Sequence, residues 1–295
     1  MILPQFYSFS MLEDFMNIKI AIIVVVYNKC LEQSITVNTL LSTGLSDVTV
    51  IIHNNGPKDI DLPGEIFQEC CKKNIKIKLN NCISNKPLSI VYNDFIDQHD
   101  DFDRLIILDD DSAITESFIN SIYDDDCDLQ LPLIISREDG KVYYPMENGR
   151  VVSGKNVLNP KVTHSIGSGL IIHKRVVSVF KENELQLFDE HYALYGVDVS
   201  FFRRIWVLSN KGVVFKLKST SHIIHSLSRT EDVESSFRRT ERLIDFAVTV
   251  RRYNSFRSKM SFCKKTLISL LSLKFGDIAV MYDAYIHGSH PRCRK

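Results

Sequence analysis

The sequence has no surplus of either charge: 36 Lys and Arg residues balance 36 Asp and Glu residues. No global field therefore draws the chain to nucleic acid, and none is expected as a partner. It lacks any run of about eighteen apolar residues, which excludes a transmembrane helix by hydropathy and leaves only peripheral membrane contact. Its seven cysteines (Cys30, Cys70, Cys71, Cys82, Cys127, Cys263, Cys293) are odd in number, scattered, and never in a CxxC spacing with histidine partners. Neither a disulfide framework nor a zinc site follows, and a reducing cytoplasm is the expected compartment. Internal repeats and low-complexity tracts are absent. The opening MILPQFYSFSMLEDFMN lacks a basic n-region and a continuous apolar h-region and carries Glu13 and Asp14. Residues 1–18 are expected to form a short leader, with Met11 or Met16 as alternative starts, and not a signal peptide.

What is present is alternation. The run Lys19 to Asn28 is β-branched throughout its middle, as in strands buried on both faces. A helical stretch from Leu31 to Ser42 follows, then a second apolar run, Val48 to His53, which ends in the turn signal Asn54-Asn55-Gly56-Pro57. Further helices are expected over Leu62 to Lys73 and Leu88 to His99, and strands over Ile75 to Leu79 and Arg104 to Leu108. Such β-α-β alternation argues for an open, mostly parallel sheet, whose ligands bind beyond the carboxyl ends of the strands. After Asp128 the pattern loosens into short strands, including Gln130 to Ser136 and Lys141 to Tyr144. Asp232 to Tyr253 and Ser261 to His287 read as helical, with a soft boundary near Ser228. Acidic residues crowd Asp97 to Asp128 and basic residues the last sixty positions, which suggests a metal-binding middle and an anion-facing tail.

The most informative feature is Asp109-Asp110-Asp111-Ser112, which follows an apolar strand directly. Carboxylates concentrated at a ligand-binding edge repel one another unless they share a cation. Mg²⁺ or Mn²⁺ takes carboxylate and diphosphate oxygens together, so a D-x-D here suits a metal-bridged nucleotide sugar. The plain alternative is a solvated acidic turn with Ser112 or Thr115 capping the next helix. A second triplet, Asp124-Asp125-Asp126, follows a helix and reads as a decoy.

With these motifs in order, the chain resembles an inverting family-2 glycosyltransferase of the GT-A fold, especially the bacterial surface-polysaccharide and rhamnosyltransferase-like enzymes. The implied fold class is α/β: a GT-A, Rossmann-like, mostly parallel sheet flanked by helices, with a helical C-terminal extension. The implied organisation is a catalytic domain over 19–228, divided into a nucleotide-binding half (19–112) and an acceptor half (113–228), followed by a helical region over 229–295. By the resemblance, Val26-Tyr27-Asn28 contacts the nucleobase, and Asn54 stands where the family usually has an Asp that holds the base or ribose. Asn80 and Asn93 bracket the family's "N-x-G…N" stretch without its glycine, and Asn93 counts among the donor-binding residues. The match to "L-D-x-D-S" gives Asp109 and Asp110 to the donor and makes Asp111, with Asp109, a metal ligand. Gly167-Ser168-Gly169 resembles the acceptor-side "S-G" strand, and Glu190 of Phe188-Asp189-Glu190 falls on the same side. Asp198 matches the catalytic base of "V-D-x-E-x-x-x-R", with Arg204 as its follower and Ser200 where relatives carry an acid. A helix N-cap is the local alternative for Asp198. Of His222 and His225, His225 is the expected further metal ligand.

The reaction so implied transfers a sugar from a UDP- or dTDP-linked donor to a saccharide acceptor, with inversion, assisted by Mn²⁺ or Mg²⁺. A lipid-linked acceptor in O-antigen or capsule assembly follows from the resemblance. Residues 258–275, apolar and flanked by lysines, read either as a peripheral contact with the inner face of the cell membrane or as a terminal helix packed on the core. The basic face of Arg238, Arg239 and Arg242 reads either as a phosphate clamp or as a solvated surface. Two rival classes stay open: a nucleotidyltransferase of similar topology, although no glycine-rich loop follows the first strand, and a carbohydrate-binding module without catalysis.

Overall fold

The computed structural model describes residues 18–153, 157–227 and 235–294. The expected leader up to residue 17, the boundary at Ser228 and the helix start at Asp232 fall outside them. The first strand, β1 (Ile20–Val26), is buried at all seven positions. It is followed by α1 (Ile35–Ser42), β2 (Thr49–Asn54), α2 (Gly64–Lys72), β3 (Lys76–Asn81), α3 (Leu88–Gln98) and β4 (Arg104–Asp109). β1 pairs in parallel with β2 on one side and with β4 on the other, and β3 continues from β2. The chain thus winds outward from β1 to β3 and then returns to the opposite side of β1. That reversal between β1 and β4 opens a crevice beyond their carboxyl ends.

The remaining strands are short: β5 (Ser112–Ala113), then, beyond α4 (Glu116–Ile122), β6 (Leu129–Gln130), β7 (Leu133–Ser136), β8 (Val142–Tyr144), β9 (Met146–Glu147), β10 (Arg150–Val151), β11 (Val157–Leu158), β12 (Thr163–His164) and β13 (Leu170–His173). Next come α5 (Lys174–Glu182), α6 (Gly196–Asn210), β14 (Leu217–Lys218) and β15 (His222–His225). The eight-stranded sheet runs β11-β14-β6-β13-β4-β1-β2-β3. β13 lies antiparallel between β4 and β6, so the sheet is parallel in its first half and mixed in its second. A smaller sheet, β5-β15-β7-β8, brings β15 against β5 with His225 opposite Ser112.

Two apolar cores sit on the two faces of the large sheet. Ala21, Ile23 and Val25 enter one, and Ile20, Ile22, Val24 and Val26 the other, as the period of two in a strand requires. Each fully buried Ile or Val side chain contributes about 1.5–3 kcal/mol. The first core also takes Leu243, Ile244, Ala247 and Val248 from α7 (Ser236–Tyr253) and Met281 and Ala284 from α9 (Phe275–His287). Between these two helices lies α8 (Phe256–Leu271). The helical stretch expected from Ser261 to His287 is therefore corrected to two helices. They part at Ser272–Lys274, where Leu273 takes a left-handed φ of 55°. Among the described residues no helix is long and apolar enough to cross a membrane.

Candidate active site

The loop after β4 is stitched to the start of α1. Thr36 N donates to Asp110 O (3.2 Å), Ser34 Oγ donates to the same oxygen (3.1 Å), and Ser112 N donates to Thr36 Oγ1 (2.9 Å). Ser34 meanwhile caps α1 by accepting from Val37 N. The three aspartates are held at the crevice by backbone contacts, which leaves their carboxylates to face the cavity. Lys29 Nζ reaches Asp110 Oδ1 at 2.8 Å. Burial nevertheless raises the Asp110 carboxyl above its ordinary value, against the opposing pull of Lys29. Burial, helped by repulsion from Asp111 and Asp110 and opposed by His225, pushes Asp109 up to about 6.

His225 arrives from 113 residues away through the β5–β15 pairing. Its Nδ1 lies 2.9 Å from Ser112 Oγ and 3.1 Å from Asp111 Oδ1. Burial works against a charge on His225, but Asp111, with Asp109 and Asp198, outweighs it and raises the imidazole above its ordinary value. Ligand atoms of Asp109, Asp111 and His225 all lie within 4.8 Å of one another. Asp111 Oδ1 is buried and makes no hydrogen bond of good geometry, its close polar neighbour being the ion-paired His225 Nδ1. Two carboxylates and an imidazole converging at this spacing, one carboxylate oxygen buried without a well-formed hydrogen bond, fit a hard divalent cation. The acidic triplet at 124–126 differs: Asp124 pairs with Lys218, Asp125 with Arg104 and Asp126 with Lys216 and Lys218.

Asp198, in the first turn of α6, lines the same cavity. It is partly buried, and desolvation followed by repulsion from Asp109 pushes its carboxyl up to about 7, although the Gly167 backbone N–H and His225 favour the charged form. A Cβ at Gly167 would lie 2.5 Å from Asp198 Oδ1, so only glycine lets its backbone approach that carboxylate. The N-terminus of α6 is fixed from the C-terminal helices: Gly196 N donates to Asp245 Oδ2 (2.8 Å). Tyr192, whose ring fills the place a Gly196 side chain would take, hydrogen-bonds Thr249 through its hydroxyl (2.9 Å). Beneath, the buried Asp189 carboxylate gathers His191 Nδ1 (2.7 Å), Arg252 Nε (3.0 Å) and Arg204 (3.5 Å), while Asp189 N donates to Ser200 Oγ. Arg204 and Ser200 thus hold the Phe188-Asp189-Glu190 segment to α6.

The cavity has a volume of about 730 Å³. Of the residues singled out in sequence, Tyr27, Asp109, Asp110, Asp111, Asp198 and His225 line it together. Others lie behind its wall. Val26 is fully buried in the opposite core, and Val25 faces the cavity in its place. Asn54 is fully buried, its amide donating to Lys58 O and Asn81 Oδ1, and Asn55 lines the wall instead. Asn28 serves the turn, in left-handed conformation with its N–H on Gly56 O. Asn93 is buried as a bracket, bonded to Phe188 through both O and N–H and reaching Glu190 Oε1 at 3.3 Å; Glu190 itself is exposed. Ser168 is buried and supports the acidic loop, accepting from Asp109 N (3.0 Å) and sharing a hydrogen bond with Ser112 Oγ (2.7 Å). Gly169 N donates to Ile107 O. His222 pairs with Ser117 away from the cavity.

Several wall residues were not singled out as cavity residues from sequence. Tyr92, Tyr144, His164, Tyr195 and Phe237 give it aromatic surface, and Arg242 and Arg292 bring cations from the C-terminal region. The Arg242 guanidinium lies 5.2 Å from the Tyr195 ring centroid, and Arg292 pairs with Glu241 at 2.7 Å. In the sequence Arg242 belongs to the basic face read as a phosphate clamp or a solvated surface, whereas Arg292 has only the basic bias of the tail as a signal.

No protein-family profile and no curated protein matches the chain. Solved structures do. GalNAc-T7, solved with UDP, GalNAc and Mn²⁺, superposes with a TM-score of 0.50 at 16% identity, over 80% of this chain and 49% of its own. The 1-349 fragment of S. aureus TarS gives 0.49 at 14% identity, over 91% and 89%. The mannosyltransferase PcManGT of Pyrobaculum calidifontis, in complex with GDP-Man and Mn²⁺, gives 0.48 at 12%, over 93% and 88%. The chain spans about half the length of the GalNAc-T7 chain and 45% of a longer TarS chain. At such identities the likeness is one of fold, and the fold is the GT-A-like α/β arrangement: a large central sheet flanked by helices, with further helices at the C-terminus.

Proposed function

We propose that this chain is a metal-assisted, inverting glycosyltransferase of the family-2 type. In this reading it moves a sugar from a UDP- or dTDP-linked donor to a saccharide acceptor carried on lipid, in surface-polysaccharide assembly. The observation that carries the reading is the presence, in one cavity, of an acidic metal-ligand cluster, Asp109, Asp111 and His225, and a further carboxylate, Asp198. The fold shared with GalNAc-T7 supports the glycosyltransferase part of this reading, while inversion rests on the placement of Asp198.

Asp109, Asp111 and His225 would hold Mn²⁺ or Mg²⁺, which when bound supplies positive charge to a departing diphosphate. The chain's own residues do the rest. Tyr27, half exposed at the cavity mouth, offers a ring on which a nucleobase can stack. Lys29 balances Asp110, so that the loop's negative charge is moderated where a diphosphate would lie. Asp198 accepts the proton of an acceptor hydroxyl as its oxygen forms a bond to the anomeric carbon and the bond from that carbon to the nucleoside diphosphate breaks. The attack comes from the side opposite the leaving group, which gives inversion. Tyr144, His164, Tyr195 and Phe237 supply the apolar faces on which sugar rings pack.

Turnover of UDP- and dTDP-sugars with Mn²⁺ and a saccharide acceptor tests the reading. Asp198→Asn is expected to lower transfer by about 10²-fold or more while nucleotide affinity stays unchanged. Transfer at the wild-type rate in that variant excludes the base assignment.

A further inference from the structure

Helix α8 packs by one narrow face. Phe262 is its main anchor, 6.1 Å from the Phe246 ring, 5.5 Å from Tyr282 and 5.1 Å from Tyr285, with Ser269 also buried. At about 100° per residue, Phe256, Met260, Cys263, Leu267, Leu270 and Leu271 fall on a single stripe turned away from that anchor. All six are exposed. Leu271 is 76% exposed, and Leu273 (74%) and Phe275 (59%) extend the stripe round the corner into α9. Cations edge it: Arg257, Lys259, Lys264 and Lys274 are exposed, and residues 254–276 contain five basic residues and no Asp or Glu.

We propose that this stripe is a docking surface for an anionic lipid bilayer, with α8 lying in the plane of the interface. An exposed apolar stripe edged by basic side chains lets the leucines enter the acyl boundary while the lysines extend to phosphate headgroups. A wholly acid-free stretch carrying five cations complements a negatively charged surface. A second copy of the chain fits poorly, because a two-fold contact through the stripe brings its four edging cations against the same four. The proposal deepens the lipid-linked-acceptor part of the function above, yet it stands on α8 alone and is read without any transfer assay.

The test is flotation of the full chain with vesicles of phosphatidylcholine alone and with phosphatidylglycerol added, at low and high salt. Flotation is expected with the anionic vesicles and to weaken with salt. Leu267→Ser/Leu271→Ser should lower the bound fraction roughly tenfold or more, since each buried leucine contributes on that order. Arg257→Glu/Lys264→Glu should lower it several-fold on anionic vesicles. Melting temperature and nucleotide binding, measured on the same preparations, should not change, which separates a lost surface from a misfolded chain. No flotation with anionic vesicles overturns the proposal. So does flotation that the serine pair leaves intact, or self-association that the serine pair abolishes in a chain that does not float.

Discussion

A carboxylate that takes a proton from a sugar hydroxyl works best with its own pKa near the ambient pH. Asp198 meets that condition through burial and the nearby Asp109 charge, which together hold it at about 7. A divalent cation among Asp109, Asp111 and His225 offsets the Asp109 repulsion, so the loaded enzyme should have a lower value. The expected profile of kcat against pH is a single limb that rises with pH, with its midpoint below 7, because the working form is the deprotonated one. A limb that falls as pH rises would assign Asp198 the opposite role. Both carboxylate groups were legible in sequence, because each sits in a local pattern: three acids after an apolar strand, and an aspartate opening a helix. The neighbouring wall was legible only to within one residue. β1 is apolar at all seven positions, so no alternation marks which of Val25 and Val26 faces the cavity. At the end of β2 two adjacent asparagines present the same ambiguity, and the backbone settles it for Asn55.

At the scale of elements, the proposed base is aimed by a helix whose first turn is held from another helix. Asp245 on α7 accepts from Gly196 N at the start of α6, and its second oxygen is buried without a partner. Burial raises this carboxyl to about 7 from an ordinary 3.8, with the Gly196 N–H opposing. A group whose folded value lies above its unfolded one binds its proton more tightly in the fold. Its contribution is complete below about pH 4 and is lost as pH rises towards 7. Asp245→Asn keeps an acceptor oxygen and cannot ionise. The wild type should therefore lose melting temperature between pH 4 and 7, and the variant should lose less, by roughly 2–4 °C for each kcal/mol recovered. Parallel curves for the two proteins would remove Asp245 from the account. This link had no sequence signal, because residues 49 positions apart meet only through packing. The break between α8 and α9 was illegible for a related reason: Ser272-Leu273-Lys274 contains neither Gly nor Pro. The turn is fixed instead by the return of α9 onto α7, where Arg239 pairs with Asp277.

Over the whole molecule, one cavity collects residues from Val25 to Arg292. The sheet reversal between β1 and β4 supplies the crevice, the β5–β15 pairing delivers His225, and the C-terminal helices close the wall with Phe237, Arg242 and Arg292. The first half of this plan was readable because parallel α/β units announce themselves through apolar runs and turns. In the second half short strands were readable over Gln130 to Ser136 and Lys141 to Tyr144, where β6, β7 and β8 lie, but not their pairing, since strands of two to four residues carry too few positions for a period to show. The central claim is that the acidic cluster binds a nucleoside diphosphate only together with a divalent cation. Calorimetric titration of UDP and dTDP, with and without Mn²⁺, into the wild type and Asp111→Asn tests it most directly. The account predicts that one nucleotide binds only when Mn²⁺ is present, and that Asp111→Asn abolishes that binding. Metal-independent binding unaffected by the substitution, or no binding of either nucleotide, would contradict it.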